Sequence, residues 1–139
     1  MATKKIRINS NSISYGPMPN ANTEVEQHIT INNRGSVWLS RYRFGNGEER
    51  YPLIEKEYFH ISEETTSRIL ELAEKIVDTE DEDFATDVGS WELIINDDSG
   101  QSRKSMGSLI SNDSAIIQEL CSVIRKALDR SDLMLLDGN

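Results

Sequence analysis

The strongest constraint on the fold is an order of local patterns that occurs twice along the chain. Residues 37–77 and residues 91–128 each contain a strand with a tryptophan near its start, a glycine-containing turn, a second strand and an amphipathic helix. Apolar residues at every second position predict strands, whereas spacings of three and four predict helices. The sequence therefore predicts two ββα-like units, joined by an acidic linker at residues 78–90.

Two further strands are predicted before the first unit. Apolar and polar residues alternate weakly over residues 5–15, which predicts an edge strand. The same alternation is clear over residues 24–31 and predicts a half-buried strand. Consecutive hairpins then give an α+β fold with the order β-β-β-β-α-β-β-α, in which about six antiparallel strands carry two helices packed on one face. A chain of 139 residues is the size of one domain, so residues 1–139 are predicted to form a single unit.

The strand predicted at residues 37–44 has two faces of different character. One face carries the aromatic side chains, which we expect to point toward the core: Trp38, Tyr42 and Phe44. The other face is mixed, and it would lie beside acidic residues of the next strand: Val37, Leu39, Arg41 and Arg43, with Glu55 and Glu57 as neighbours. This mixed face is a candidate interaction surface, although solvated cross-strand ion pairs are the simpler explanation.

Both helices have predicted starts and buried stripes. Ser62 is the expected N-cap of the first helix, and Asn112 or Asp113 that of the second. The two apolar stripes follow helical spacing: Ile69, Leu72, Ala73 and Ile76 in the first, and Ile116, Ile117, Leu120, Cys121, Ile124 and Leu128 in the second. Residues 133–136 form a short apolar tail that should pack against the body of the protein.

The charge of the chain is concentrated in its second half. The formal net charge is −9, but residues 1–60 carry +2 and residues 61–139 carry −11. Such a surface repels phosphate backbones and anionic lipid and accelerates encounter with a basic protein, so we expect no nucleic acid and no membrane as partner. The candidate contacts to a basic partner are Glu80, Asp81, Glu82, Asp83, Asp87, Asp97 and Asp98. Solubility alone would also explain the acidity.

The motifs of common catalytic and metal sites are missing from the sequence. One cysteine and two histidines form no zinc-ligand spacing, no serine lies in a GxSxG turn, and no glycine loop opens a helix. The acidic stretch at residues 78–87 lacks the order of a calcium loop. We therefore predict a protein that is not an enzyme and has no catalytic residue, metal or cofactor. The absence of a long apolar stretch predicts a cytoplasmic location.

Several segments resemble a family of small uncharacterised bacterial proteins. The resemblance lies in residues 26–31, 84–93, 107–109 and 133–138, of which Thr86-Asp87-Val88-Gly89 is a distinctive part. It implies a bacterial cytosolic domain and transfers no catalytic or binding residue.

Three functional hypotheses follow. The first is a non-enzymatic protein-binding module, specifically an immunity-type inhibitor of a basic toxin or nuclease. The second is a small-molecule-binding or enzymatic domain, with a pocket between sheet and helices lined by Trp38, Tyr42, His60 and Trp91. The third is a self-associating structural domain, and the sequence leaves the oligomeric state open.

Overall fold

A computed structural model describes residues 2–13, 19–46, 51–79, 89–109 and 114–138. Within these ranges the chain forms six strands and two helices in the order β1 (Thr3–Asn11), β2 (Glu24–Asn32), β3 (Ser36–Arg43), β4 (Leu53–His60), α1 (Glu63–Thr79), β5 (Ser90–Asp97), β6 (Ser102–Ser108) and α2 (Ala115–Leu128). This order confirms the predicted α+β class. Because α1 continues to Thr79, the first two residues of the predicted acidic linker are helical, and residues 80–88 lie outside the described part of the chain.

The strands form one antiparallel sheet in the order β4-β3-β2-β1-β5-β6. The prediction that the first strand lies at an edge was wrong, since β1 is bonded to β2 on one side and to β5 on the other. Ile6 and Ile8 face the core from this central position and are almost completely buried. β5 lies inside the sheet and β6 forms the edge opposite β4.

One face of the sheet and both helices enclose the core. The sheet contributes alternating side chains from its four inner strands: Ile6, Ile8, Ile29, Ile31, Val37, Leu39, Leu93 and Ile95. The helices contribute the predicted stripes: Ile69, Leu72, Ala73 and Ile76 from α1, and Ile117, Leu120, Cys121, Ile124 and Leu128 from α2. Both stripes join one cluster, which confirms that the helices pack on the same face. Neither helix is long and apolar enough to cross a membrane within the described ranges.

The orientation of β3 is opposite to the prediction. Val37 and Leu39 are 0% and 1% exposed, whereas Trp38 is 46% exposed on the open face of the sheet. The register explains this result, because Leu39 lies opposite Ile29 and therefore takes the buried side of β2. Phe44 is buried as predicted, but it follows the end of the strand.

The helix starts agree with the sequence in one case and differ in the other. Ser62 caps α1 as predicted, since its Oγ accepts a hydrogen bond of 3.1 Å from Thr65 N. The cap of α2 is Ser114, whose side chain accepts from Ile117 N. The predicted caps Asn112 and Asp113 lie outside the described residues. A serine at the next position supplies the same oxygen acceptor.

The C-terminal segment packs against the sheet and α2, as predicted. Leu133, Leu135 and Leu136 are fully buried. Ser10 Oγ donates to the Leu135 carbonyl at 2.7 Å, and Met134 N donates to Gln27 Oε1 at 2.8 Å. These bonds explain how two polar side chains are accommodated on the buried face of the sheet.

Candidate functional site

Exposed apolar side chains lie along the edge strand β4 and on the neighbouring strand β3. Among the described residues, the large hydrophobic side chains that remain strongly exposed are Trp38 (46%), Leu53 (46%), Ile54 (45%) and Tyr58 (59%). We call these four residues the β4 corner. Single exposed hydrophobic residues are ordinary on protein surfaces, whereas several on one edge strand and its neighbour indicate a candidate site of interaction.

The two aromatic side chains of the β4 corner hold each other in place. Trp38 and Tyr58 are directly opposite in the β3–β4 register, with ring centroids 5.7 Å apart and planes inclined by 62°. The Tyr58 hydroxyl shares a hydrogen bond of 3.0 Å with Ser36 Oγ. Edge-to-face pairing and this hydrogen bond restrict both rings, so a partner would lose little side-chain entropy on binding them.

Carboxylates surround Arg41 on the opposite face of β3. The Arg41 guanidinium donates to both oxygens of Asp132 at 3.0 and 3.1 Å and to Glu24 Oε2 at 3.1 Å. Its Nε lies 3.3 Å from Glu55 Oε1, although without hydrogen-bond geometry. Arg41 itself is only 4% exposed. The prediction that Arg41 lies on an open interaction face was therefore wrong, because that face is the one that the helices and the C-terminal segment cover.

A second ion pair lies beside the Arg41 cluster. Arg130 donates to Glu57 Oε2 at 2.6 Å, and its guanidinium lies 5.3 Å from the centre of the Phe59 ring. Hydrogen bonds from the arginines lower the pKa of two carboxyl groups, that of Glu57 through Arg130 and that of Asp132 through Arg41.

These pairs leave an acidic margin beside the β4 corner. Four carboxylates face two guanidinium groups in this region: Glu24, Glu55, Glu57 and Asp132, with Arg41 and Arg130. The side chains of Glu55 and Asp132 are 52% and 66% exposed. We use the name acidic margin for these two exposed carboxylates. The acidic margin lies on the helix-covered side of the sheet and Trp38 and Tyr58 lie on the open side, so a partner that contacts both must cover the β4 edge.

The acidic residues predicted as partner contacts fall into two groups. Glu80, Asp81, Glu82, Asp83 and Asp87 lie outside the described residues. Asp97 and Asp98 lie at the β5–β6 turn, where Asp97 Oδ1 accepts hydrogen bonds of 2.9 and 3.0 Å from Ser99 N and Gln101 N.

Asp97 is therefore occupied in holding the turn. A hydrogen bond of 2.6 Å from the Ser99 hydroxyl, followed by the two backbone bonds, lowers the pKa of Asp97. Asp98 is exposed and stays available to a partner.

The four residues predicted to line a pocket between sheet and helices are not brought together. Trp91 is buried on the helix-covered face, where it lies opposite Gly107. Trp38 and Tyr42 lie on the other face of the sheet, and His60 is exposed at the end of β4. These four residues therefore do not line a common pocket between the sheet and the helices.

Cys121 and His28 lie in two different environments, the core and the open face of the sheet. Cys121 is completely buried in the core, as predicted, and burial raises the pKa of its thiol to about 11. His28 Nε2 pairs with Glu26 Oε2 at 3.0 Å on the open face. The described ranges contain no group of three or more His, Cys, Asp or Glu side chains arranged to hold a metal.

Comparison with known proteins adds no relative from which roles could be transferred. No protein-family model matches the sequence, and no curated protein matches it. The resemblance to a family of small bacterial proteins therefore stays a prediction.

Proposed function

We propose that the protein is a non-enzymatic protein-binding module whose contact surface is the β4 corner. The observation that carries this proposal is that the large hydrophobic side chains left strongly exposed in the described ranges all lie on the edge strand β4 or on its neighbour β3. Tryptophan and tyrosine are enriched among the residues that dominate interface energies, and well-packed rings suit that role. Edge strands also offer unpaired backbone groups to a partner.

The charges of β4 favour a different protein as partner over a second copy of this chain. In a two-fold symmetric antiparallel pair, the residue at the axis lies opposite its own copy, so the two symmetric registers that pair the most β4 residues place Lys56 opposite Lys56 or Glu57 opposite Glu57. Like charges directly opposite each other destabilise a strand pair. This arrangement argues against sheet extension through two β4 strands, which is the simplest form of the self-association hypothesis.

We further propose a basic partner and, in its most specific form, an immunity-type inhibitor of a basic toxin or nuclease domain. Support comes from the acidic margin, formed by Glu55 and Asp132, and from the charge of −11 carried by residues 61–139. Apolar anchors flanked by carboxylates suit a basic surface and would accelerate its association. Glu80 to Asp83, Asp87 and Asp98 are the additional contacts in this proposal.

Affinity capture from lysate of the source cells at low salt tests the proposal when it is combined with variants. We expect one stoichiometric basic partner that is released by salt. Tyr58→Ala should abolish its capture, whereas Lys126→Ala on the exposed side of α2 should not. Glu55→Lys should slow association with the purified partner more than Glu71→Lys, which makes the same charge change on α1. A partner retained by every variant, or no partner at all, would contradict the proposal.

A further inference from the structure

A groove separate from the acidic margin lies beside Trp38, on the side of β2 and β1. It has a volume of about 590 Å³ and is lined by Lys4, Lys5, Asn32, Arg34, Trp38 and Asp98, among others. The register brings these residues together, since Lys5 lies opposite Asn32 and Thr30 lies opposite Trp38. We call this feature the Trp38 groove. Its volume is within the range of about 300–1,000 Å³ that small-ligand pockets occupy.

The Trp38 groove is a basic region in an acidic protein. Lys4, Lys5 and Arg34 are all exposed, and none of them forms an ion pair with another residue in the described part of the chain. Asp98 is the carboxylate beside them. Cations that line a groove and form no ion pair attract an oxyanion.

The neutral groups of the groove complete a recognition pattern. The Trp38 ring is restricted by Tyr58 and offers an exposed aromatic surface. Asn32 Oδ1 accepts hydrogen bonds of 3.0 Å from both Arg34 N and Ser36 N, which leaves Asn32 Nδ2 available as a donor. Asp98 supplies an acceptor for hydroxyl or amino groups.

We propose that the Trp38 groove binds a nucleotide unit, with its base against Trp38 and its phosphate near Lys4, Lys5 and Arg34. Tryptophan stacks on any base, and lysine and arginine bind phosphate. Asp98 then accepts from a ribose hydroxyl or a base amino group. A phenyl phosphate has the ring and the anion, but it offers nothing to Asp98 and is much smaller than the groove. This inference does not depend on the proposed protein partner.

The proposal differs from the expectation, drawn from the total charge, that nucleic acid is not a partner. Coulomb interactions between exposed charges are screened beyond about 8–10 Å at physiological salt, so the charges lining the groove outweigh the distant acidic ones. The nucleotide unit has two sources, a free nucleotide and the exposed unit of a single strand.

The experiment uses the two tryptophan side chains as probe and internal reference. The ¹⁵N-labelled full chain is titrated with AMP, GMP, CMP and UMP, and separately with a short single-stranded oligoribonucleotide. We expect a saturable shift of the Trp38 indole signal, while the buried Trp91 signal stays in place. Saturation by the mononucleotides assigns the site to free nucleotides, and saturation by the oligonucleotide alone assigns it to a single strand. Phenyl phosphate binding as tightly as the nucleotides would overturn the assignment.

Matched variants test whether the nucleotides bind in the Trp38 groove. Lys5→Ala and Arg34→Ala should each weaken binding about tenfold, the usual effect of one charge-assisted hydrogen bond. Lys56→Ala removes the same charge from the open face outside the groove and should change the affinity by less than about twofold. Unchanged Trp91 signals confirm that each variant is folded. The absence of a saturable shift with every probe, or equal weakening by all three variants, would overturn the proposal.

Discussion

Trp38 and Tyr58 lie directly opposite each other on β3 and β4, with ring centroids 5.7 Å apart, and both rings point away from the core. Their immediate neighbours Val37 and Phe59 are also paired, but on the face that the helices cover. The pair therefore connects the two surfaces proposed for binding, since both residues belong to the β4 corner and Trp38 also lines the groove.

The orientation of β3 predicts unequal effects of truncating adjacent residues. Leu39→Ala should lower the free energy of unfolding by about 2–5 kcal/mol, because it leaves a cavity in the core. Trp38→Ala should cost less than half as much, although tryptophan is the larger side chain, since Trp38 is 46% exposed. Urea unfolding of both variants measures the difference. A larger loss for Trp38→Ala would mean that the faces of β3 are reversed.

The Arg41–Asp132 pair predicts a loss of stability in acid. The folded-state pKa of Asp132 is depressed by its hydrogen bonds from Arg41. The pair therefore stabilises the fold above the ordinary aspartate pKa, near 3.9, and this contribution disappears as the pH falls through the lower folded-state value. Asp132→Asn should lower the free energy of unfolding at neutral pH by about 0.5–1 kcal/mol, because Asp132 is mostly exposed and solvent weakens such a pair.

Unfolding measured from neutral pH into acid provides the control for this pair. The stability of the Asp132→Asn variant should fall less steeply with decreasing pH than that of the original protein. Asp98→Asn removes an exposed carboxylate from a turn and should leave the slope unchanged. Identical slopes in the Asp132→Asn variant and the original protein would show that the pair does not contribute.

Gly107 is required by the packing of Trp91. A Cβ atom at position 107 would lie 2.6 Å from two ring carbons of Trp91, well inside van der Waals contact. Gly107→Ala should therefore displace the ring and lower the free energy of unfolding by about 1–3 kcal/mol. Near-ultraviolet circular dichroism and urea unfolding measure these effects, with Ser102→Ala on the exposed part of β6 as control. A Gly107→Ala variant of unchanged stability and spectrum would contradict this packing.

Cys121 should be inert while the protein is folded. Its side chain is completely buried, and burial raises the pKa of the thiol to about 11. Little reactive thiolate is therefore present at neutral pH. Modification by a disulfide reagent should be slow for the native protein and should become fast in denaturing urea. Rapid labelling of the native protein would show that the core around α2 opens readily.

The arrangement of strands and helices could be predicted because each has a clear local signal. The stripes of α1 and α2 and the alternation of β2 correspond to the observed buried faces. The position of β1 could not be predicted in this way, because strand order depends on pairing between distant segments. Ile6 and Ile8 lie opposite Ile95 and Leu93 of β5, which are far from them in the sequence.

The candidate site was missed because both faces of β3 contain large apolar residues. The size and aromaticity of Trp38 favoured its face of β3 as the buried one. Pairing with β2 determines which face is in fact buried. Ile29 and Ile31 define the buried side of β2, and the short turn that follows sets Val37 and Leu39 opposite them. Pairing of the two strands in the sequence would therefore have placed Trp38 on the open face.

The central claim is that the β4 corner contacts another protein, and site-specific photocrosslinking tests it most directly. Benzoylphenylalanine is introduced at Tyr58 and, in a separate protein, at Ser122 on the exposed side of α2, and both are irradiated in the source cells. The account predicts one dominant adduct with a different, basic protein from position 58 and none from position 122. No adduct from position 58, or the same adducts from both positions, would contradict it.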